Sequence, residues 1–264
     1  MERNLAIRLL VAAGGIPLLL FIAARGGFLL LSLCVVLAGG GGYEIARIIR
    51  RNRFGFGQIW AALTASLAPV FCYFDLRFQE YFALTIIGSG VIIVLERRIE
   101  SYADRLLACI MPAVYPGFLI SFLIMLSKSG DAGLQLVVFS FLLVWAVDTA
   151  AYFGGRAFGR KKLSPFLSPN KTWAGFFAGF GGAIFAAVVS GLVFLRLPMP
   201  KLVLVAIIAA LAAQLGDLFE SGLKRAYGAK DSSAILPGHG GLLDRFDSLL
   251  FAAPVVYYLT AVWP

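Results

Sequence analysis

Residues 214–247 crowd acids and bases into a chain that otherwise holds few of either. Asp217, Glu220, Asp231, Asp244 and Asp247 are interleaved there with Lys224, Arg225, Lys230 and Arg245. If 214–224 continues as a helix, Gln214, Asp217, Ser221 and Lys224 stand at i, i+3, i+7 and i+10 and share one face. Asp244 and Asp247, three apart, can share a face of the next helix. Three carboxylates, Asp217, Asp244 and Asp247, converging in a poorly solvated site repel one another unless a cation joins them. A hard divalent ion with oxygen ligands resolves the conflict, and magnesium with a nucleoside triphosphate suits it best. The alternative is that these acids pair with Lys224, Arg225 and Arg245 and need no metal.

The four cations outnumber what three metal-bound carboxylates would leave for them. At a membrane surface such a cluster binds anionic headgroups or clamps a transferring phosphate. Gly238, Gly240 and Gly241 flank His239, the only histidine, and let backbone N–H groups come close to an anion. A phosphate nucleophile is already ionised at neutral pH, so His239 is expected to donate to a phosphate or to shape its loop rather than act as a base. Upstream, Asp148 lies inside an apolar run, where an ionisable side chain is a functional candidate by default. A structural pairing of Asp148 with Arg156 is the competing reading. Lys171 and Thr172 stand at the mouth of the following run and are site candidates. Arg160, Lys161 and Lys162 read as a cytoplasmic anchor or a lipid-phosphate contact.

These residues need a membrane to hold them. Of 264 residues, 60% are hydrophobic and 14% charged, with mean hydropathy +0.88; a soluble domain usually carries about 25% charged residues. Apolar runs recur near 5–24, 28–46, 57–74, 80–95, 106–127, 133–153, 173–195, 201–220 and 248–263, predicting an all-α polytopic membrane protein of about nine spans. The first run is expected to be an uncleaved span, because it is long for a signal core and is followed by Arg25 rather than a cleavage site. With the N terminus in the cytoplasm, eighteen of the 23 Lys and Arg fall on the inner side, as the positive-inside bias requires. That orientation puts both polar loops, 154–171 and 221–247, in the cytoplasm, and it accounts for the net charge of +9 without nucleic acid. Cys34, Cys72 and Cys109 sit in apolar runs and predict no disulfide framework. Gly39, Gly40, Gly41 and Gly42, with Gly179, Gly181 and Gly182, predict close helix packing. Residues 1–140 are expected to serve packing and dimerisation, and 141–264 to carry the catalytic loops.

Ser221, Lys224-Arg225, Lys230-Asp231, His239-Gly240-Gly241, Asp244-Arg245 and Asp247, with Asp148-Thr149, Gly155-Arg156 and Ser168-Pro169-Asn170-Lys171-Thr172 upstream, closely resemble the CDP-diacylglycerol synthase (phosphatidate cytidylyltransferase) family. The resemblance covers roughly 145–250 and departs at Ala174, where members often carry a polar residue. It implies that CTP and phosphatidate give CDP-diacylglycerol and pyrophosphate, with Mg²⁺, room for a second cation, and a homodimer among membrane lipids. On that reading Asp217, Asp244 and Asp247 hold metal. Lys224, Arg225, Lys230 and Arg245 offset the charge of two polyanions, with Asp231 in the same catalytic group. Ser221, Asp148, Lys171, Thr172, His239 and Gly240 bind substrate. A CTP-dependent kinase, a cytidylyltransferase for another lipid and an ion-coupled transporter are the alternatives. The aspartate run of CDP-alcohol phosphotransferases is absent.

Overall fold

In a bilayer the peptide groups of a span find no water, so an apolar run satisfies them internally by becoming a helix. The computed structural model is accordingly helical apart from one small hairpin. It describes residues 2–50, 55–96, 102–233 and 240–262, with side chains from Gly14 onward. In order the elements are α1 (Glu2–Arg25), α2 (Gly27–Ile49), α3 (Phe56–Tyr73), α4 (Phe78–Leu95), α5 (Tyr102–Pro112), α6 (Leu119–Ser127), α7 (Gly133–Phe158), β1 (Lys162–Ser164), β2 (Ser168–Thr172), α8 (Trp173–Val193), α9 (Met199–Ala226) and α10 (Asp247–Tyr257). A π-helical stretch, Ala113–Phe118, joins α5 to α6, and a 3₁₀ turn, Leu243–Arg245, precedes α10.

Among the described residues seven helices are long and apolar enough to cross a membrane: α2, α3, α4, the continuous run Tyr102–Ser127, α7, α8 and α9. They correspond to the second through eighth expected spans and make the chain an all-helical, polytopic membrane protein. The described residues thus account for seven of the nine expected spans. The last apolar helix, Asp247–Val262, is shorter than the rest, and at 1.5 Å per residue it covers only about 24 Å of a core roughly 30 Å thick. α1 is 24 residues long, and its described part, Gly14–Arg25, is apolar. Asp244 and Asp247 also do not share a helix face as expected. Asp244 belongs to the 3₁₀ turn, Phe246 leaves helical geometry at φ −127° and ψ 1°, and Asp247 starts α10.

The chain divides into two compact units, Met1–Met125 with Ala226–Arg245, and Leu126–Arg225 with Phe246–Pro264. In the first, the glycine run of α2 does what its composition predicts. A Cβ on Gly42 would lie 2.8 Å from Ala65 Cβ and 2.9 Å from Ala61 O, so α2 and α3 pack backbone to backbone. One turn along, Gly40 and Gly41 face Leu242 and Leu243. That contact is fastened by Glu44, a fully buried acid of α2. Its carboxylate accepts from Leu242 N at 2.9 Å, Leu243 N at 2.8 Å, Ser232 Oγ at 3.0 Å, and Ser233 Oγ. Four donors offset what burial of the charge would otherwise cost.

At the C-terminal cap of α2, Arg50 grips Glu96 with two bonds of 2.9 and 3.2 Å, and Arg105 donates to the same carboxylate. Burial opposes ionisation of Glu96. The hydrogen bond and charge of Arg50, then the charge of Arg105, outweigh it and hold the carboxyl below its usual 4.5. Arg50 and Arg105, which the sequence offers only as topology markers, therefore also tie α2, α4 and α5 together. In the second unit α7 and α8 approach as closely as α2 and α3 do. A Cβ on Gly182 would strike the Ala146 carbonyl, and Gly179 faces Gln214; Gly181 has nothing within 4 Å.

Glu44→Gln should lower stability by roughly 3 kcal/mol, because an amide turns N–H groups toward donors and leaves buried N–H groups unmatched. The measurement is the thermal midpoint in detergent together with amide exchange at Leu242 and Leu243, which should accelerate. Unchanged exchange there would show that Glu44 does not fasten the segment. A group with a lowered folded pKa contributes stability that is present above its unfolded pKa and lost as pH falls through the folded value. The Glu96 cluster should therefore support the fold at neutral pH and fail below its usual 4.5. Wild type should then lose its advantage over Glu96→Gln as pH is lowered through that range.

Candidate active site

The second unit encloses a cavity of about 580 Å³ between α7, the hairpin, α8 and α9. Asp148 of α7, Lys171 and Thr172 of β2, and Gln214 and Asp217 of α9 all line it. Four of the residues selected from sequence thus meet in one place. Local chemistry explains their positions. Gly159 ends α7, β1 and β2 pair antiparallel with Lys162 opposite Thr172, and the Thr172 hydroxyl accepts from Gly175 N at 3.2 Å to cap α8. The cap occupies the Thr172 side chain structurally and fixes Lys171, its neighbour, at the mouth of the helix.

Lys171 Nζ lies 2.6 Å from Asp217 Oδ2, and Ser221 Oγ lies 3.4 Å from Asp217 Oδ1. α9 does run through 214–224, so Gln214, Asp217 and Ser221 share the face that their spacing predicts. Lys224 is drawn aside: it is buried and donates to Glu220 Oε2 at 2.9 Å. Glu220, buried at 1% exposure, is the acid that the sequence leaves outside the site. Its carboxyl neighbours that of Asp247, at the start of α10. Gly216 makes the approach of α10 possible, because a Cβ there would lie 2.8 Å from the Asp247 carbonyl.

Burial pushes the Asp247 carboxyl up from its ordinary value; the Asp217 charge adds to the rise and Asp148 contributes in the same direction, against the Ser248 N–H bond that favours the anion. Asp148, Asp217, Glu220 and Asp247 are four neighbouring acids, with Lys171 bonded to Asp217 and Lys224 to Glu220. Asp217 and Asp247 repel one another in this poorly solvated place, and a cation between them relieves that repulsion. Among the described residues no three His, Cys, Asp or Glu side chains gather closely enough to cage a metal alone. Magnesium does not require such a cage, since it keeps several waters and takes one or two carboxylates. The Asp217–Asp247 donor set fits it on those terms. Arg156, offered as a partner for Asp148, donates to Tyr152 Oη at 3.3 Å.

The rest of the motif lies in the first unit. Asp244 Oδ2 accepts from Gly241 N at 2.8 Å, Ser232 N at 3.1 Å and Ser232 Oγ at 3.0 Å. Ser232 Oγ is equally near Glu44, and its single proton serves one carboxylate at a time. Gly240 adopts φ +81°, and a Cβ on Gly241 would collide with Ser232 Oγ. These glycines do let backbone N–H groups close on an anion, and the anion here is Asp244. Lys230 and Asp231 line a separate cavity of about 700 Å³ with Arg47, Ser232 and Ser233. Arg225, in the second unit, and Arg245, in the first, are exposed, and His239 lies outside the described residues. Glu44 is legible in the sequence only as an acid inside an apolar run, shortly after the glycines that bring it to its partners.

A cytidylyltransferase family model matches residues 6–263. The phosphatidate cytidylyltransferase of Staphylococcus epidermidis is 44% identical over 167 residues, 63% of this chain and 63% of that protein. That of Bacillus subtilis is 43% identical over 155 residues, 58% of this chain and 57% of its own length. That of Staphylococcus saprophyticus is 40% identical over 186 residues, 70% of each. The chain thus spans less than two thirds of the first two relatives. With a family match running through α1 to α10, the chain belongs to the cytidylyltransferase family.

Proposed function

We propose that the chain transfers the cytidylyl group of CTP to phosphatidate, giving CDP-diacylglycerol and pyrophosphate. The observation that carries this reading is the cavity that gathers Asp148, Lys171 and Asp217 between membrane helices and the hairpin. The names of the relatives support the substrate pair. A phosphatidate oxygen bonds to the α-phosphorus of CTP as the bond to the bridging oxygen of the β-phosphate breaks, and pyrophosphate leaves with that electron pair. The attacking oxygen is already an anion, so the protein must position it and neutralise charge rather than remove a proton.

Asp217 and Asp247 would hold Mg²⁺, which supplies positive charge to the phosphate oxygens and, as in the family, leaves room for a second cation. Lys171 is bonded to Asp217 in the structure, and an incoming phosphate can share it without moving it far. Lys224, Arg225, Lys230 and Arg245 offset the charge of the two polyanions. Ser221, Asp231, His239 and Gly240 position substrate, and Asp244 completes the acidic set of the motif. The eighteen inner-side cations favour a cytoplasmic N terminus and a site that opens toward the cytoplasm of a bacterial plasma membrane, where CTP is. A homodimer is part of the same proposal.

Purified protein in mixed micelles, given phosphatidate, Mg²⁺ and CTP labelled at the α- or γ-phosphate, tests the reaction. Label from the α-position should enter lipid; label entering only from the γ-position would mean a kinase and end this reading. Asp217→Asn should lower turnover by at least about 100-fold, the scale of a lost electrostatic contact to the transition state. Asp244→Asn should do likewise, with the thermal midpoint of both variants showing that they remain folded. Near-normal turnover in both would remove the acids from the reaction.

A further inference from the structure

The β1–β2 hairpin carries more than the walls of a cavity. Residues 156–171 contain Arg156, Arg160, Lys161, Lys162 and Lys171 and no acid. Lys171 is bonded to Asp217, but Arg160, Lys161 and Lys162 are exposed. The turn between the strands sets Phe166 at the tip with 90% of its surface exposed, the most exposed large apolar side chain among the described residues. Leu167 beside it leans toward Gly222 of α9, at 3.5 Å from where a Cβ would stand. The tip therefore rests against a membrane helix on one side and presents a bare ring on the other.

Position supplies the second argument. Both ends of the hairpin are tied to spans: α7 ends at Phe158, and Thr172 caps α8. Phe158 and Trp173, at those two ends, are 76% and 40% exposed, and exposed aromatics at the ends of spans sit at headgroup depth. Strands of three and five residues reach only about 10–17 Å from that level. A ring held there with three exposed cations has the composition of an interfacial anchor, apolar tip with basic flank. The hairpin's other residues, Leu163, Ser168 and Asn170, line the 580 Å³ cavity, so whatever holds the tip also sets the depth of the cavity wall. A second copy of this hairpin is a poor occupant, because a symmetric contact would bring its unopposed cations together.

We propose that the hairpin is a membrane-resting flap whose occupant is an anionic bilayer surface. Phe166 inserts among the headgroups, Arg160, Lys161 and Lys162 hold lipid phosphates, and the cavity wall is thereby kept where a lipid phosphate can enter. In taking a lipid phosphate as substrate, the inference rests on the proposed function.

The test places nitrobenzoxadiazole on Phe166→Cys, with Cys34, Cys72 and Cys109 replaced by alanine, in vesicles of phosphatidylcholine alone or mixed with phosphatidylglycerol. Emission should shift to the blue and be quenched by lipids spin-labelled near the headgroup, more strongly with phosphatidylglycerol. Lys161→Gln with Lys162→Gln should remove the difference between the two lipids. Phe166→Ser should slow turnover of long-chain phosphatidate in vesicles about tenfold, the scale of one lost aromatic insertion, and leave a water-dissolved short-chain phosphatidate unaffected. A water-like label in both vesicles overturns the proposal. So does a blue shift that persists in detergent with cross-linking between two copies, and so does equal slowing of both substrates. An inserted label with no α-phosphate transfer to lipid would instead refute the proposed reaction and leave the flap standing.

Discussion

A carboxylate drawn out of water costs several kcal/mol unless a cation or a set of hydrogen-bond donors meets it. In a chain with so few charges the helices are arranged around that requirement. Glu44 is met by two backbone N–H groups and two hydroxyls from the 232–243 segment. Glu96 is met by two guanidinium groups. Asp217 takes Lys171, and Glu220 takes Lys224. Asp247 stands apart from these, because its partners include another acid, and its carboxyl is pushed toward the neutral form by burial and by Asp217. That neighbourhood of acids is what separates the candidate site from the structural ion pairs of the first unit.

Small residues make the matching possible. Where no water drives helices together, close approach has to come from missing side chains. Gly42 brings α2 against α3, Gly40 and Gly41 admit the leucines that follow the motif glycines, and Gly216 admits the first turn of α10 beside Asp217. Remove the space and the donors no longer reach the acids. The same glycines that look like passive packing in the sequence thus determine which polar groups meet. Pairing and packing are one constraint seen at two distances.

Much of this is legible in the amino-acid sequence. The spans are visible because transfer into lipid depends on residue type summed over about twenty positions, and seven of the expected runs are long helices. The face of Gln214, Asp217 and Ser221 follows from helical periodicity alone. The pairing of Lys171 with Asp217 does not follow, nor does the diversion of Lys224 to Glu220. The shared helix expected for Asp244 and Asp247 fails at Phe246, where the backbone leaves helical geometry, a choice that one residue's environment makes. Thr172 reads as a substrate contact, yet its hydroxyl caps α8. Glu44 escapes a reading by motif because nothing near it in the chain marks its partners.

What the amino-acid sequence determined by itself is the helical membrane architecture and the supply of clustered charge, since hydropathy and ionisation belong to residue types and to short-range spacing. What only the tertiary structure decided is the wiring. Ser232 reaches Glu44 across 188 positions of chain, and Lys171 reaches Asp217 between a strand and a distant helix. Those bonds exist because helix packing closes the intervening loops, and the strength of each depends on distance and burial, which no local pattern encodes.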